Sequence, residues 1–532
     1  MSKSLGIMLD CSRDAVMKPE KVKEFAKMIS DLGYNMLQLY TEDTYEIEGE
    51  PFFGYMRGRY TQEELRDIDA YCASVGVELV PCIQVLAHLN QLVQWDEYKP
   101  LFDCNDILMV GNEKVYELIE KMFQTVTTCF SSRRVNVGMD EAHMLGRGQY
   151  LEKNGYKRRV DILADHLKRV KEIADKYGVT LMMWSDMFIR INNNGHYYGE
   201  NIRLPKDTLE SVPEGIELIY WDYYSKDKKR YDQMLRTHSD FKNPIAFAGG
   251  FWTWHGFAPN LRFALDATEA AMRSVENFNV DTIFFTMWGD NGKECSFYAQ
   301  LPVIFAASEM VKGNFDRENI AAKFEEKYGY SFEEYMHLEL TNCLSEEESN
   351  TNNPCKYLLY NDPFIGRYDF AVSEKMAEYF EKATEVLNAS MNGRKFDYLF
   401  DVQKKLADVL AGKCDLGKRI RKAYDMNDRG CLKKIAEEEI PEIIHKMKAF
   451  FDAFKTMWLL ENKAFGLEVH EQRFGGLMYR MEGCRDRLNM YLDGVIDKID
   501  ELEEPCLVPY GKEEGKLTKC NNWKQMVTTS IL

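Results

Sequence analysis

The 532-residue chain has 13 cysteines but no Cys-x-x-Cys pair. An odd number of thiols scattered from Cys11 to Cys520 fits neither a zinc ribbon nor a disulfide framework, and reads as free thiols in a reducing compartment. There is no His-Glu-x-x-His, and the nine histidines are spread without pattern. No metal site is expected, and no other cofactor. No Walker-type glycine loop is present, and no phosphate-binding turn follows Leu9. No run is long enough to span a bilayer. The apolar part of MSKSLGIMLD is too short for a signal peptide and runs into Asp10, so a cytoplasmic protein is expected. Positive charge is in deficit: 68 Lys and Arg against 86 Asp and Glu leave a net −18. That balance argues against nucleic acid or an anionic membrane as partner, since both are polyanions.

What is present is apolar material for a large core, with 45% hydrophobic and 13% aromatic residues. Over the first three hundred residues, short β-prone runs alternate with amphipathic helical patterns. The runs are Leu5–Leu9, Asn35–Tyr40, Val77–Ile83, Val135–Met139, Thr180–Trp184, Ile216–Trp221, Ile245–Ala248 and Thr282–Trp288. A helix is predicted from Pro19, with Val22, Phe25, Ala26 and Ile29 at helical spacing, and another from Thr61, where Thr-Gln-Glu-Glu reads as a capping box. Eight strand–helix repeats in this length predict an α/β fold, a TIM (β/α)8 barrel over residues 1–312. A doubly wound open sheet is the competing architecture. From 313 to 532 the β-prone runs vanish and long helical patterns take over, as in Ser373–Asn388, Asp397–Ala411 and Glu438–Phe454. This part is predicted to be an all-α helical domain. The tail from Pro505 is less regular.

Barrel active sites lie at the C-terminal ends of the strands, and unusual residues gather there. Strand one ends in Asp10-Cys11-Ser12-Arg13. Strand three leads to Gln84 and His88, and strand four to Asp140-Glu141. Trp184, Trp221, Trp252, Trp254 and Trp288 all fall at or just beyond strand ends, Tyr223 and Tyr224 follow strand six, and Asp290 follows strand eight. Aromatic walls with a few carboxylates suit a sugar. Adjacent acids rarely reach the two sides of a glycosidic bond that ordinary retaining enzymes need, roughly 5 Å apart. They suit a reaction in which the substrate's own acetamido oxygen attacks. Close carboxylates also push their pKa values apart.

The stretch Arg134–Glu141, RVNVGMDE, resembles the strand-four motif of family 20 glycoside hydrolases, the β-N-acetylhexosaminidases. Leu9–Arg13, Gly58-Arg59-Tyr60-Thr61, Pro81 to His88 and Met287-Trp288-Gly289-Asp290 resemble other blocks of that family in the same order. The resemblance covers about residues 1–310 and is closest to compact bacterial exo-N-acetylglucosaminidases with a helical C-terminal region. It implies an exo-acting, retaining hydrolase releasing terminal β-linked N-acetylglucosamine, with N-acetylgalactosamine as the alternative, through an oxazolinium intermediate. By the same resemblance Glu141 is general acid and then base, and Asp140 holds the acetamido group. Substrate binding falls to Arg13, His88, Trp184, Trp221, Tyr223, Trp252, Trp254, Trp288 and Asp290. Two departures stand out: Asn136 and Met139 replace the usual histidine and glycine, and Asp290 replaces a glutamate. Another acetamido-sugar glycosidase and a non-catalytic sugar-binding barrel are the other readings.

From the residues alone, Arg13 could instead pair with Asp10 or Glu42, and Trp254 could be packing. Asp186 and Asp222 are expected to orient neighbours or bond loop amides, and His143 and His255 to be structural. Trp458, Glu461, Asn462, His470, Glu471 and Arg473 precede Gly475-Gly476 and read as a helix end with a turn; the alternative is that they close one side of the site. The expected partner is a small oligosaccharide or glycoconjugate, and the expected assembly a homodimer.

Overall fold

The computed structural model describes residues 4–343 and 349–531, so Met1–Lys3 of the stretch read for a leader lie outside the described residues. The chain divides into two compact units. The first comprises 1–251, 264–287 and 305–315, and the second 252–263, 288–304 and 316–532.

The first unit is a closed eight-stranded parallel barrel. Its strands are β1 Ser4–Asp10, β2 Met36–Glu42, β3 Glu78–Ile83, β4 Arg134–Asn136, β5 Thr180–Trp184, β6 Glu217–Trp221, β7 Ile245–Gly250 and β8 Thr282–Met287. Each pairs with its sequence neighbour, and β1 closes the ring on β8 from Ser4 against Thr282 to Leu9 against Met287. The TIM-barrel expectation therefore holds, and an open doubly wound sheet is excluded.

The helices form where the pattern places them. Pro19–Ser30 buries Val22, Phe25, Ala26 and Ile29, the i, i+3, i+4, i+7 stripe of an amphipathic helix. Thr61 caps Gln62–Ser74 with both halves of a capping box. At the foot of the barrel, Arg134 pairs with Glu78. Higher inside, buried Asn136 donates to Gln38 Oε1 at 3.1 Å and accepts from Gly138 N at 3.1 Å. Asn136 thus stitches two strands across the interior, satisfying polar groups that burial would otherwise penalise.

One strand departs from its predicted span. β4 stops at Asn136 rather than Met139, because Gly138 (φ 68°) and Met139 (φ 70°) turn into the left-handed region. That turn carries the chain out of the sheet and aims the next two residues. β2 carries a register shift between Tyr40 and Glu42 against β3, and such bulges re-aim side chains at barrel rims.

The second unit is mostly helical. Its long helices are Met376–Ala389, Asp397–Lys413, Ile440–Glu461 and Leu467–Leu492. Phe257 packs edge-on against Phe450, Phe454 and Phe474 at 5.4–6.0 Å between centroids. A π-turn at Ile435–Glu439 leads into the helix containing Pro441; a proline there has no N–H for the α-helical ladder. The predicted turn at Gly475-Gly476 is not where the helix ends. The break falls earlier, at Asn462–Gly466, where Gly466 is left-handed (φ 87°). The two glycines lie inside Leu467–Leu492, which tertiary packing keeps helical despite their cost.

The segment 252–263 is bonded firmly within this unit. Asn260 Nδ2 donates to the carbonyls of Asn350 and Asn352. Gln403 Nε2 donates to Phe257 O at 2.7 Å. Buried Glu339 accepts from Leu261 N and Arg262 N.

Candidate active site

Five strand ends of the barrel unit build one polar network. On β2, Tyr40 donates to Glu42 Oε1 at 2.9 Å, and Arg13, beyond β1, donates to the same oxygen through Nε at 3.0 Å. Gln84, following β3, is fully buried. Its Nε2 donates to Tyr40 Oη at 3.0 Å and to Asp140 Oδ1 at 2.8 Å, while its Oε1 accepts from Met139 N at 3.1 Å. Gly138 permits this approach: a Cβ there would fall 2.1 Å from Gln84 Oε1.

His88 completes the cradle around Asp140. Its Nε2 lies 3.2 Å from Asp140 Oδ2 and 3.9 Å from Glu141 Oε2. Its own backbone is left-handed (φ 61°) and is pinned by a bond from its amide to Asp106 Oδ2 at 3.0 Å. Burial alone would lower the His88 pKa, but the Asp140 carboxylate outweighs it and holds the ring protonated up to about 9. Burial likewise works to raise Asp140, and the His88 charge and the bonds from His88 and Gln84 overcome it, leaving Asp140 below the usual carboxylate range. Asp140 is therefore a fixed anion. Its neighbour Glu141 has a side chain 41% exposed, against 12% for Asp140.

The loop after β5 reaches Glu141 from the other side. Asp186, with no exposed surface, accepts from Glu141 N at 3.2 Å and from Arg190 Nε at 3.0 Å. Arg190 Nη2 lies 3.6 Å from Glu141 Oε1. Burial, then the Asp140 charge, raise Asp186 to about 7. Glu141 sits at φ 52°. Non-glycine residues rarely occupy that region, and such outliers cluster at functional sites.

The aromatic residues fall into two groups. In the barrel unit Trp221 stacks on Tyr223 at 5.2 Å and 22°. Tyr223 is 5% exposed and Tyr224 40%. Trp184 is buried against Phe284 at 5.8 Å. Asp222 accepts from Tyr224 N at 3.0 Å and pairs with Arg230 at 2.8 Å. Asp222 and Asp186 thus do what was expected of them, bonding loop amides. In the second unit Trp252 and Trp254 stack at 4.4 Å and are almost wholly buried, while Trp288 and Asp290 are partly exposed. His255 bonds Thr351 O at 3.1 Å, a structural role as expected.

Beyond Asp290, three consecutive residues, Asn291, Gly292 and Lys293, have φ of 59°, 133° and 53°. Side chains of the second unit hold this turn. Arg473 Nη1 donates to Asn291 O at 2.8 Å, and His470 Nε2 to Gly292 O at 2.7 Å. Lys356 Nζ meets Glu294 Oε2 at 2.6 Å, both side chains at most 1% exposed. So part of the polar stretch read as a plain helix end braces the loop that carries Asp290.

Sequence reasoning missed Tyr40 and Arg190 in this network, and the buried Lys356–Glu294 pair within the second unit. Tyr40 was visible only as a large polar residue at a strand end. Arg190 had one signal, its i, i+4 spacing from Asp186. Lys356 and Glu294 gave none, because their pairing spans 62 positions of sequence. Among the described residues no cluster of His, Cys, Asp and Glu could hold a metal ion.

Two family models match the chain. Glycosyl hydrolase family 20, catalytic domain, covers residues 5–208, and Glycoside Hydrolase 20C C-terminal domain covers 333–521. Together they account for well over half of the 532 residues. The chain belongs to glycoside hydrolase family 20. Among curated members of this family-20 neighbourhood, human hexosaminidase D is 23% identical over 225 residues, covering 40% of this chain and 43% of its own. The β-hexosaminidase of Vibrio furnissii is 25% identical over 174 residues, 26% of this chain and 28% of its own. The matches thus span from about a quarter to three-fifths of the curated relatives' lengths. The family 20 exo-β-N-acetylglucosaminidase of Vibrio harveyi, solved with N-acetylglucosamine, aligns at a TM-score of 0.47 and 15% identity, over 64% of this chain and 58% of that one.

Proposed function

We propose that this family 20 chain hydrolyses terminal, non-reducing β-linked N-acetylglucosamine, with N-acetylgalactosamine as the alternative sugar, and retains the anomeric configuration. The observation that carries this reading is the unequal holding of two adjacent acids. Asp140 is buried, ionised and clamped by Gln84 and His88, whereas the Glu141 side chain is more exposed, as a group that must reach a leaving group needs to be.

In the first step, Glu141 gives its proton to the glycosidic oxygen as the C1–O bond breaks. The acetamido carbonyl oxygen of the substrate forms the new bond to C1. The resulting oxazolinium carries positive charge on the amide, next to the fixed Asp140 carboxylate. Anions placed in advance where positive charge develops lower the barrier without reorganisation. In the second step the Glu141 carboxylate takes a proton from water, the water oxygen attacks C1, and the ring reopens to the amide.

Arg13 is proposed to bind ring hydroxyls, a task that suits a guanidinium fork. His88 serves mainly by holding Asp140. Tyr223 is proposed as the hydroxyl for the acetamido oxygen, with Tyr224 as the alternative, and Trp184, Trp221, Trp252, Trp254, Trp288 and Asp290 as substrate-binding residues on the family resemblance. No cofactor is needed by this chemistry. The free state of the described cysteines supports a reducing compartment, hence a cytoplasmic location and small imported oligosaccharides as substrate. No helix among the described residues is long and apolar enough to cross a membrane. A homodimer is proposed for the assembly.

The test is hydrolysis of p-nitrophenyl N-acetyl-β-D-glucosaminide beside the plain β-glucoside, for the parent enzyme, Asp140→Asn and Glu141→Gln. Activity on the acetamido sugar alone, lost by about 10²-fold or more in both variants, is the expected result. Equal activity on both sugars would overturn the mechanism.

A further inference from the structure

The loop after β4 presents Glu141 with a left-handed backbone, and two residues from the next βα unit hold it there. Asp186 takes the Glu141 amide at 3.2 Å through Oδ2. The same oxygen takes Arg190 Nε at 3.0 Å, and the other end of that guanidinium faces Glu141 Oε1 at 3.6 Å. Backbone and side chain of one residue are therefore tied to a single Asp–Arg pair.

We propose that Asp186 and Arg190 are a positioning pair for the proton donor, with Arg190 dividing its charge between Asp186 and Glu141. This rests on the hydrolase reading above and deepens it.

Three features support the division. First, Arg190 lies over Tyr197 at 5.5 Å and Trp221 at 5.8 Å from the ring centroids, contacts that favour the position between Asp186 and Glu141. Second, Asp186 Oδ1 is buried with no hydrogen-bond partner, an unusual state for a carboxylate oxygen and one that a proton would relieve. Third, burial and the nearby Asp140 already raise Asp186 to about 7. The titratable groups facing the pair are Asp140, Glu141 and His143 from the loop after β4 and Tyr197 from the loop after β5; His88, from the loop after β3, faces Asp140 and Glu141 behind them.

The consequence is electrostatic. With Asp186 ionised, the Arg190 charge is largely taken up by that carboxylate. With Asp186 protonated, the same charge turns toward Glu141 Oε1. The pair therefore sets the reach of the acid and the charge it faces without touching the sugar.

General-acid assistance matters most when the leaving group is a poor one. The experiment measures kcat/KM, which reports the glycosidic cleavage step, for parent, Arg190→Ala and Asp186→Asn on two substrates. One is N,N′-diacetylchitobiose, whose departing sugar hydroxyl needs a proton. The other is 2,4-dinitrophenyl N-acetyl-β-D-glucosaminide, whose phenolate leaves unaided. Loss of about 10²-fold or more on the disaccharide with less than about 10-fold on the dinitrophenyl substrate is expected for both variants, together with a displaced pH profile on the disaccharide alone. Equal losses on the two substrates, or no loss on the disaccharide, would overturn the proposal. Asp186→Asn changes a fully buried group, so Arg190→Ala carries the test alone should the other fail to fold. If the parent enzyme cleaves neither substrate, it is the hydrolase reading that fails.

Discussion

His88 Nε2 stands 3.2 Å from Asp140 Oδ2, and the pair is an ion pair at neutral pH rather than a neutral hydrogen bond. Each partner shifts the other: Asp140 keeps the ring protonated to about 9 against the pull of burial, and the ring keeps Asp140 below its usual range. That mutual shift ties pH to stability. The unfolded histidine titrates near 6.5, so stabilisation from its protonated form is complete below about 6.5 and disappears as pH rises through about 9. A shift from 6.5 to about 9 corresponds to at most roughly 3 kcal/mol. His88→Gln is expected to flatten the fall in unfolding free energy across that window, read by urea denaturation at the two ends. A variant with the same slope as the parent would show that the ring contributes nothing.

Gly138→Ala tests the close approach behind the acid pair. A methyl there would stand 2.1 Å from Gln84 Oε1 on a residue with φ 68°. Gln84 must withdraw, releasing Asp140 and the Met139 amide together. We expect a loss of stability of about 1–3 kcal/mol and a fall in kcat greater than any rise in KM. Unchanged kcat would mean that Gln84 is not needed to hold Asp140.

In the second unit, Lys356 and Glu294 form a buried ion pair. Lys356→Met leaves the carboxylate with Arg473, at 3.5 Å, as its one remaining cation among the described residues, and is expected to cost about 3–5 kcal/mol. Adding Glu294→Leu should return much of that, giving a large coupling in a double-mutant cycle. Additive losses would show that the two charges are stabilised separately.

Thr61→Ala removes one half of the capping box at Gln62–Ser74. A loss of about 1 kcal/mol is expected, seen as a lower melting temperature with unchanged kcat/KM. A change in activity without a change in melting temperature would contradict the assignment of Thr61 to helix capping alone.

The barrel was legible because its strands are short apolar runs, most of them closed by polar residues, and several helices announce their start, as Pro19 and Thr61 do. Asp140-Glu141 was legible because an acid pair directly after a buried run is unusual. Local departures were less so. β4 ends three residues early because Gly138 and Met139 turn into the left-handed region, a turn that Gln84, 54 positions away from Gly138, supports by accepting from Met139 N. Gly475-Gly476 misled because glycine is a local helix breaker, whereas the helix is held by the burial of Phe474, Leu477 and Met481. The reach of Arg190 to Glu141 and the Lys356–Glu294 pair span 49 and 62 positions, and a single sequence carries no mark of such contacts.

The closure of β1 on β8 has a consequence for synthesis. One edge of β1 pairs with Met36–Tyr40 early, but its other edge has its partner only once Thr282–Met287 has been made. At about 5–20 residues per second, the ribosome takes roughly 15–60 s to supply it. Through that interval the first strand is an open edge, able to template the wrong neighbour. The growing chain therefore has to be shielded until the ring shuts, and fragments ending before residue 282 should be the ones that aggregate.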